Sequence, residues 1–195
     1  MTKINFDNYT HQVQAILINP PWIGDADNKK GQKKNVSLEE FKQLRFSKNL
    51  MIDGIVFVWV EKELISDLIK FFESQDMAYV ENICWIMLDE DKREEVDKTK
   101  SIDVSPAFAS DDYQFIRKSK KTMLMFRRLQ KKGATPLELR HQRTCDVYFD
   151  FKNFNLQNYK PNEYIYKLIE TMLPKSMVDE DKKHLKMIEL WAQDQ

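Results

Sequence analysis

The strongest constraint on the fold of this chain is a short apolar run, Ala15-Ile16-Leu17-Ile18, that stops at the break Asn19-Pro20-Pro21-Trp22. An apolar run of this length that meets two prolines is the pattern of a buried strand that delivers its last residues to a loop. Ligand sites of α/β proteins form at the carboxyl ends of such strands. We therefore predict a strand that ends at Asn19 and a ligand site at the break that follows it.

The break has the chemistry of amino-group recognition. Asn19 carries an amide oxygen that accepts a hydrogen bond from an exocyclic amine. Pro20 and Pro21 fix φ and supply no N–H, so the turn is stiff, and Trp22 has a flat face on which a base could stack. The four residues alone leave a second interpretation open, in which a Pro-Pro loop is followed by an ordinary core tryptophan.

Hydrophobic patterning along the rest of the chain predicts alternating strands and helices. A capping box, Ser37-Leu38-Glu39-Glu40, marks the start of a first helix. Because two β-helix-β passages follow each other, we predict an α/β fold with right-handed crossovers and a central, mostly parallel sheet flanked by helices. The later strands are predicted at 52–60, 80–88, 122–126, 145–151 and 186–191, and the longer helices at 63–74 and 161–173.

Length and composition limit the class of protein. The chain has 195 residues, 42% of them hydrophobic, which predicts one domain over 1–195 with a polar lead-in at 1–14 and long loops at 23–36 and 89–112. The 31 Lys and Arg residues balance the 31 Asp and Glu residues, which excludes a uniformly basic surface but not local clusters. With four glycines, no Gly-rich phosphate loop can be written.

Metal, membrane and disulfide chemistry find no support in the sequence. The three histidines are far apart, so no metal-ligand spacing exists. No apolar run is long enough to span a membrane, and no signal peptide is visible at Met1. Cys84 and Cys145 each lie in an apolar run and are predicted to be buried free thiols, which fits a reducing cytosol or nucleus.

Basic residues gather in clusters in the second half of the chain. Such clusters can hold the phosphate backbone of a nucleic acid even when the total charge is zero. The alternative is that they are solvated strand ends. The predicted nucleic-acid-binding residues are Lys118, Lys120, Lys121, Arg127, Arg128, Arg140 and Arg143.

From about residue 15 to its end, the chain resembles the MT-A type N6-adenine methyltransferases. The blocks that carry the resemblance, in the family's order, are Asn19-Pro20-Pro21-Trp22, Gly54-Ile55-Val56-Phe57-Val58-Trp59-Val60, Ile83-Cys84-Trp85-Ile86, Cys145-Asp146-Val147, Tyr159-Lys160-Pro161-Asn162-Glu163-Tyr164-Ile165-Tyr166 and Ile188-Glu189-Leu190-Trp191. The resemblance implies a Rossmann-like methyltransferase fold that binds S-adenosylmethionine. It also implies a heterodimer of one active and one inactive subunit, and the chain resembles the inactive partner in the ciliate DNA adenine methyltransferase complex.

Departures from the family pattern imply the inactive role. Active members carry Asp-Pro-Pro-Trp, and Asn19 lacks the negative charge that would stabilise an amine as it becomes positive during transfer. Active members also have an acidic residue just before the strand at 122–126, where this chain has Lys118, Lys120 and Lys121.

The same resemblance covers the cofactor side. Active members continue after the last strand with Gly-Arg and then a His-Asn pair, whereas Ala192-Gln193 follows Trp191 here. Lys160 matches a cofactor-side lysine of the family, although it also fits a surface lysine beside a helix start. We therefore expect no cofactor on this subunit and S-adenosylmethionine in the active partner.

Three functions are compatible with the sequence. The first is a non-catalytic, nuclear subunit that supports an active Asp-Pro-Pro-Trp partner, with DNA favoured over RNA, room for further accessory subunits and no membrane. The second is an active N6-adenine methyltransferase of DNA or RNA. The third is an unrelated α/β binding domain.

The loop at 89–112 is the predicted partner interface, because in this family the corresponding loop lies between subunits. Its second half holds apolar residues with few polar neighbours, and such surface usually marks a partner site. The alternative is that the loop folds back onto its own domain. The predicted interface residues are Ile102, Val104 and Phe108.

Overall fold

The described residues of this computed structural model form a six-stranded sheet with helices on both faces. They are residues 6, 12–22, 35–89, 94, 119–128, 137–140, 144–152, 163–177 and 186–191. The strands are β1 (Ala15–Ile18), β2 (Ile55–Val60), β3 (Met77–Asp89), β4 (Lys120–Arg128), β5 (Val147–Lys152) and β6 (Met187–Leu190). The helices are α1 (Leu38–Phe41), α2 (Ile65–Glu73), preceded by a 3-10 turn at Lys62–Leu64, and α3 (Glu163–Met172).

The strand order is β5-β3-β4-β2-β1-β6. Five strands run in one direction, and β4 runs against its neighbours β2 and β3. The predicted α/β fold with a central, mostly parallel sheet is therefore confirmed. The pattern of apolar residues did not predict the direction of β4. It follows from the pairing of Ile86 with Lys120, which places the start of β4 at the edge where β3 ends.

Both faces of the central strands are buried, and each face belongs to a separate core. Ile16 and Val56 face the core that α1 and α2 cover. Leu17 and Phe57 face the core that α3 covers. Burial on both faces explains why β1 and β2 are unbroken apolar runs rather than alternating ones.

The first helix begins where its capping box predicts. Ser37 Oγ accepts a hydrogen bond from the Glu40 N–H at 3.1 Å, and Glu40 Oε2 accepts one from the Ser37 N–H at 3.0 Å. Two orphan N–H groups at the helix start are thereby satisfied. The helix brings Phe41, which is completely buried, over the end of β1.

The second strand begins at Ile55, three residues later than the apolar run predicted. The chain approaches the strand through a bend at Asp53 and Gly54. A Cβ at Gly54 would lie 2.6 Å from the Gln14 carbonyl oxygen, so only glycine fits this approach. The other predicted strands and helices are present, with ends shifted by a few residues. No helix in the described ranges is long and apolar enough to cross a membrane.

Candidate functional site at the carboxyl ends of β1 and β6

The candidate site lies where two neighbouring parallel strands end together. The Asn19 N–H donates to the Leu190 carbonyl at 3.1 Å, which joins the end of β1 to the end of β6. The helix after β1 packs on one face of the sheet, and the helix before β6 packs on the other. Open α/β sheets bind ligands at such a reversal of connections, outside the carboxyl ends of the strands.

The Pro-Pro break forms a tight turn that is fixed from both sides. The Trp22 N–H donates to the Pro20 carbonyl at 2.9 Å, which closes a three-residue turn centred on Pro21. The Val36 N–H donates to the Pro21 carbonyl at 2.8 Å, and a parallel bridge pairs Trp22 with Val36. The backbone at Val36 therefore lies against the turn and holds it in place.

Trp22 points into the core. Its side chain is 2% exposed, its Nε1–H donates to the Trp59 carbonyl at 2.9 Å, and its ring centroid lies 5.1 Å from that of Phe41. A base cannot stack on a ring in this position, so the stacking role predicted for Trp22 does not fit this geometry. The alternative interpretation of a core tryptophan does, because the ring is buried and packs on Phe41.

Trp191 follows β6 directly and has an unusual backbone. Its φ is 55°, a conformation that bulky residues rarely adopt and that persists only when the surroundings hold it. Its ring stacks on Phe41, with centroids 6.1 Å apart and 22° between the planes. Two tryptophans, Trp22 and Trp191, thus pack on Phe41 beside the carboxyl ends of β1 and β6, a position that we call the crevice; we call the three side chains the aromatic plug.

Sequence reasoning missed two members of the plug, Phe41 and Trp191. A signal for Trp191 was available, because a backbone that must approach a ligand closely at the end of a strand usually carries glycine. A tryptophan at that position indicates packing instead. No comparable signal existed for Phe41, since a buried aromatic on a short helix is ordinary core.

A carboxylate lies on β6 beside the same crevice, on the α3 face. The Tyr166 hydroxyl donates to Glu189 Oε2 at 2.8 Å. Burial, followed by the hydrogen bond and the charge of Glu189, raises the pKa of Tyr166 well above its usual value. Glu189 therefore accepts a hydrogen bond from its own chain, and this bond favours the protonated form of Tyr166.

A row of aromatic rings crosses the α3 face from β2 to α3. Trp59 meets Trp85 edge-on at 6.2 Å, Trp85 lies parallel to Tyr148 at 6.2 Å, and Tyr148 stacks on Tyr164 at 4.2 Å. The Tyr164 hydroxyl donates to the Cys145 carbonyl at 3.2 Å. This row is a packing element that ties the edge strand β5 to the centre of the sheet.

The described basic residues of β4 lie at the two ends of this strand. By an edge we mean here one of the two sides of the sheet at which its strands begin or end. Lys120 pairs with Ile86 near the carboxyl end of β3, at the edge that holds the Pro-Pro turn. Arg127 pairs with Ile55 at the start of β2, at the other edge. Seven residues along β4 separate Lys120 from Arg127 by about 23 Å, at about 3.3 Å per residue. The described basic residues at the two ends of β4 therefore do not form one surface.

Arg128 is not available to a nucleic acid, which corrects its predicted role. Its side chain is 3% exposed and donates to the Phe46 carbonyl. Burial lowers the pKa of its guanidinium, and the charge of Asp76 raises it by less. The interaction with Phe46, far away in sequence, draws the side chain inward, so Arg128 is a structural cation.

Other predicted residues are held by their own chain or lie elsewhere. Arg127 Nε lies 3.5 Å from Asp53 Oδ1, and Arg140 Nη2 lies 2.6 Å from Glu138 Oε1. Lys120 is exposed and Lys121 is half-buried. Lys118, Arg143, the cofactor-side Lys160 and the interface residues Ile102, Val104 and Phe108 lie outside the described residues.

The two cysteines are free, but they are not both buried. Cys84 is partly buried in β3, and Cys145 is exposed just before β5. The prediction of buried thiols is therefore wrong for Cys145, because its apolar neighbours belong to an edge strand whose outer face is open. Within the described ranges, no group of three or more His, Cys, Asp or Glu side chains could hold a metal ion.

Comparison with known proteins identifies the family. A search of curated proteins gave no match. Among solved structures, the chain is similar to the one in the crystal structure of the M1.HpyAVI–SAM complex, with a TM-score of 0.49 and 12% sequence identity over 86% of this chain and 70% of that one. The family profile described as MT-A70 matches residues 13–194. Because that match spans nearly the whole sequence, the chain belongs to the MT-A70 family.

Proposed function

We propose that this chain is a non-catalytic subunit of a heteromeric N6-adenine DNA methyltransferase in the nucleus. In this proposal, an active Asp-Pro-Pro-Trp relative binds S-adenosylmethionine and carries out the transfer, and this subunit supports the partner and helps bind nucleic acid. Membership of the MT-A70 family and the Rossmann-like methyltransferase fold set aside the third possibility, an unrelated α/β binding domain.

The observation that carries the proposal is the aromatic plug. A nucleoside cofactor needs open space at the carboxyl ends of the strands where a Rossmann-like sheet reverses its connections. At that position, Trp22 and Phe41 are almost completely buried, and Trp191 packs on Phe41. This packing of described residues supports a cofactor held by the partner rather than by this subunit, and no step of transfer is derived through it.

The residue at position 19 supports the same proposal. Methyl transfer to an exocyclic amine places positive charge on the nitrogen, and a carboxylate next to it would stabilise that charge. Asn19 supplies a neutral amide at the end of β1. It can accept a hydrogen bond but contributes no full charge.

A second candidate is an active N6-adenine methyltransferase, and one observation favours it. Asn19 is partly exposed, although β1 before it and Pro20 after it are buried. An accessible amide oxygen at this strand end is what recognition of an amine requires. The two candidates differ in whether this subunit holds the cofactor.

Calorimetry with S-adenosylmethionine on the isolated full chain separates the candidates. The proposal predicts no binding heat, because the plug would have to open first. Tight binding by the isolated chain would favour the active enzyme. Co-purification with an Asp-Pro-Pro-Trp relative tests the partner directly, and failure of the two chains to associate under conditions where both are folded would remove the support role.

A further inference from the structure

A groove lies on the face of the sheet that α1 and α2 cover, and its lining residues are separate from the aromatic plug. It has a volume of about 520 Å³, which falls within the range of roughly 300–1,000 Å³ typical of small-ligand sites. One wall is α2 and the other is the segment after α1. The residues that line it are Lys42, Arg45, Asp67, Lys70, Phe71, Ser74 and Gln75.

The sequence spacing of these residues explains the groove. Asp67, Lys70, Phe71 and the C-cap residue Ser74 recur at i, i+3, i+4 and i+7, so they form one stripe along α2 and its end. Phe71 is 7% exposed and forms the floor, while Lys70 is exposed above it. The stripe is therefore apolar at its base and charged at its rim.

Gln75 connects the two walls through hydrogen bonds to the segment after α1. Gln75 Oε1 accepts a hydrogen bond from the Phe46 N–H at 2.9 Å, and Lys42 Nζ lies 3.3 Å from Asp67 Oδ1. Arg45 Nη1 donates to the Lys42 and Leu44 carbonyls at 2.7 and 2.9 Å. The guanidinium is thus held against the backbone, and a held guanidinium loses less entropy when it binds an anion.

The groove has a local excess of positive charge in a chain with no net charge. Lys42, Arg45 and Lys70 supply three cationic groups, and Asp67 supplies the only carboxylate among the lining residues. The Lys42–Asp67 pair is 39% and 47% exposed, so it contributes little stability. A phosphate group matches this set, because Lys and Arg are the residues that neutralise phosphates.

We propose that the groove between α2 and the segment after α1 binds backbone phosphates of a nucleic acid. The choice of nucleic acid over a free phosphate rests on the proposed function. Phe41 connects the groove to the crevice, since its ring contacts both Phe71 at 5.5 Å and Trp22 at 5.1 Å. Two ring contacts through the core therefore separate Trp22 of the Pro-Pro turn from the groove floor.

The test is fluorescence anisotropy of a labelled single-stranded DNA with the full chain over a range of salt concentrations. Lys42→Gln combined with Lys70→Gln should weaken binding about tenfold and reduce the salt slope by about 0.7 for each phosphate that is no longer neutralised. Asp67→Asn removes the carboxylate and should strengthen binding. The matched control is Lys167→Gln with Lys175→Gln, which removes two exposed lysines on and next to α3 and should change neither quantity.

Three results would overturn the proposal. The first is an unchanged affinity and salt slope in the groove variant, with folding verified by its melting temperature. The second is an equal weakening in the control, which would indicate a general effect of charge. The third is binding of inorganic phosphate to the groove that leaves the affinity for DNA unchanged, which would make the groove a site for free phosphate. Because the readout is direct binding, none of these depends on which subunit transfers the methyl group.

Discussion

Single residues in this chain show how burial decides the role of a charged or aromatic group. Arg128 and Lys120 lie on the same strand and carry the same charge, yet Arg128 is 3% exposed and Lys120 is exposed. Trp22 belongs to the most recognisable motif in the sequence, and its ring is core. Arg128 contacts Phe46 and Trp22 contacts Phe41, and both neighbours are distant in sequence. The residue type alone therefore could not predict that these side chains are buried.

Replacement of Arg128 tests its structural role. Arg128→Ala leaves the buried Phe46 carbonyl without its side-chain donor and opens a cavity. We expect a loss of about 2–4 kcal/mol in the free energy of unfolding, measured by urea denaturation. The control is Lys120→Ala on the same strand, which should stay within about 0.5 kcal/mol of the wild type. Equal effects from the two substitutions would contradict the assignment.

The Tyr166–Glu189 pair predicts a pH dependence of stability. Tyr166→Phe removes the donated hydrogen bond and should cost about 1 kcal/mol at pH 7. Burial first, and then Glu189, raises the pKa of Tyr166. The contribution is therefore complete below the unfolded pKa of about 10 and is lost as the pH rises toward the folded pKa.

Urea denaturation of wild type and Tyr166→Phe at pH 7 and at about pH 10.5 measures this difference. The gap in the free energy of unfolding between the two proteins should narrow at the higher pH. A gap that widens there would show that the tyrosine is ionised in the folded state and that the hydrogen bond to Glu189 does not hold it protonated.

Among the helices and strands, the sequence predicts local features well and relations between distant segments poorly. The capping box at Ser37 places α1, because both hydrogen bonds form within four residues. The apolar runs place β1 and β2, because strands buried on both faces carry few polar residues. The direction of β4 and the bridge from Trp22 to Val36 depend on where the chain returns, and no local pattern encodes that.

The position of the Lys120 end of β4 leads to a prediction about nucleic acid. Two strand spacings, about 10 Å, separate β4 from β1, and Lys120 and Lys121 lie at the same edge as the Pro-Pro turn. Lys120→Glu with Lys121→Glu should weaken DNA binding by the assembled complex and flatten its salt dependence. Lys167→Glu with Lys175→Glu is the matched control. An unchanged salt slope in the first variant would rule out backbone contact at this edge.

For the whole molecule, fold and activity are separate properties. The family match establishes an MT-A70 methyltransferase-like domain, and the structure gives it a mostly parallel six-stranded sheet. The aromatic plug and the neutral Asn19 support a subunit that keeps the scaffold without carrying out the transfer. In the proposed role, this subunit contributes to nucleic-acid binding through its surface, at the Lys120 end of β4 and at the groove beside α2.

The most direct test of the non-catalytic role is incorporation of a tritiated methyl group into adenine-containing DNA and RNA. The assay is run with the full chain alone and with an active Asp-Pro-Pro-Trp relative added. We predict no incorporation by the chain alone, and incorporation with the partner that Asn19→Ala leaves unchanged. Incorporation by the chain alone that disappears in Asn19→Ala would contradict this role, because it would show that the Pro-Pro turn of this subunit performs the transfer.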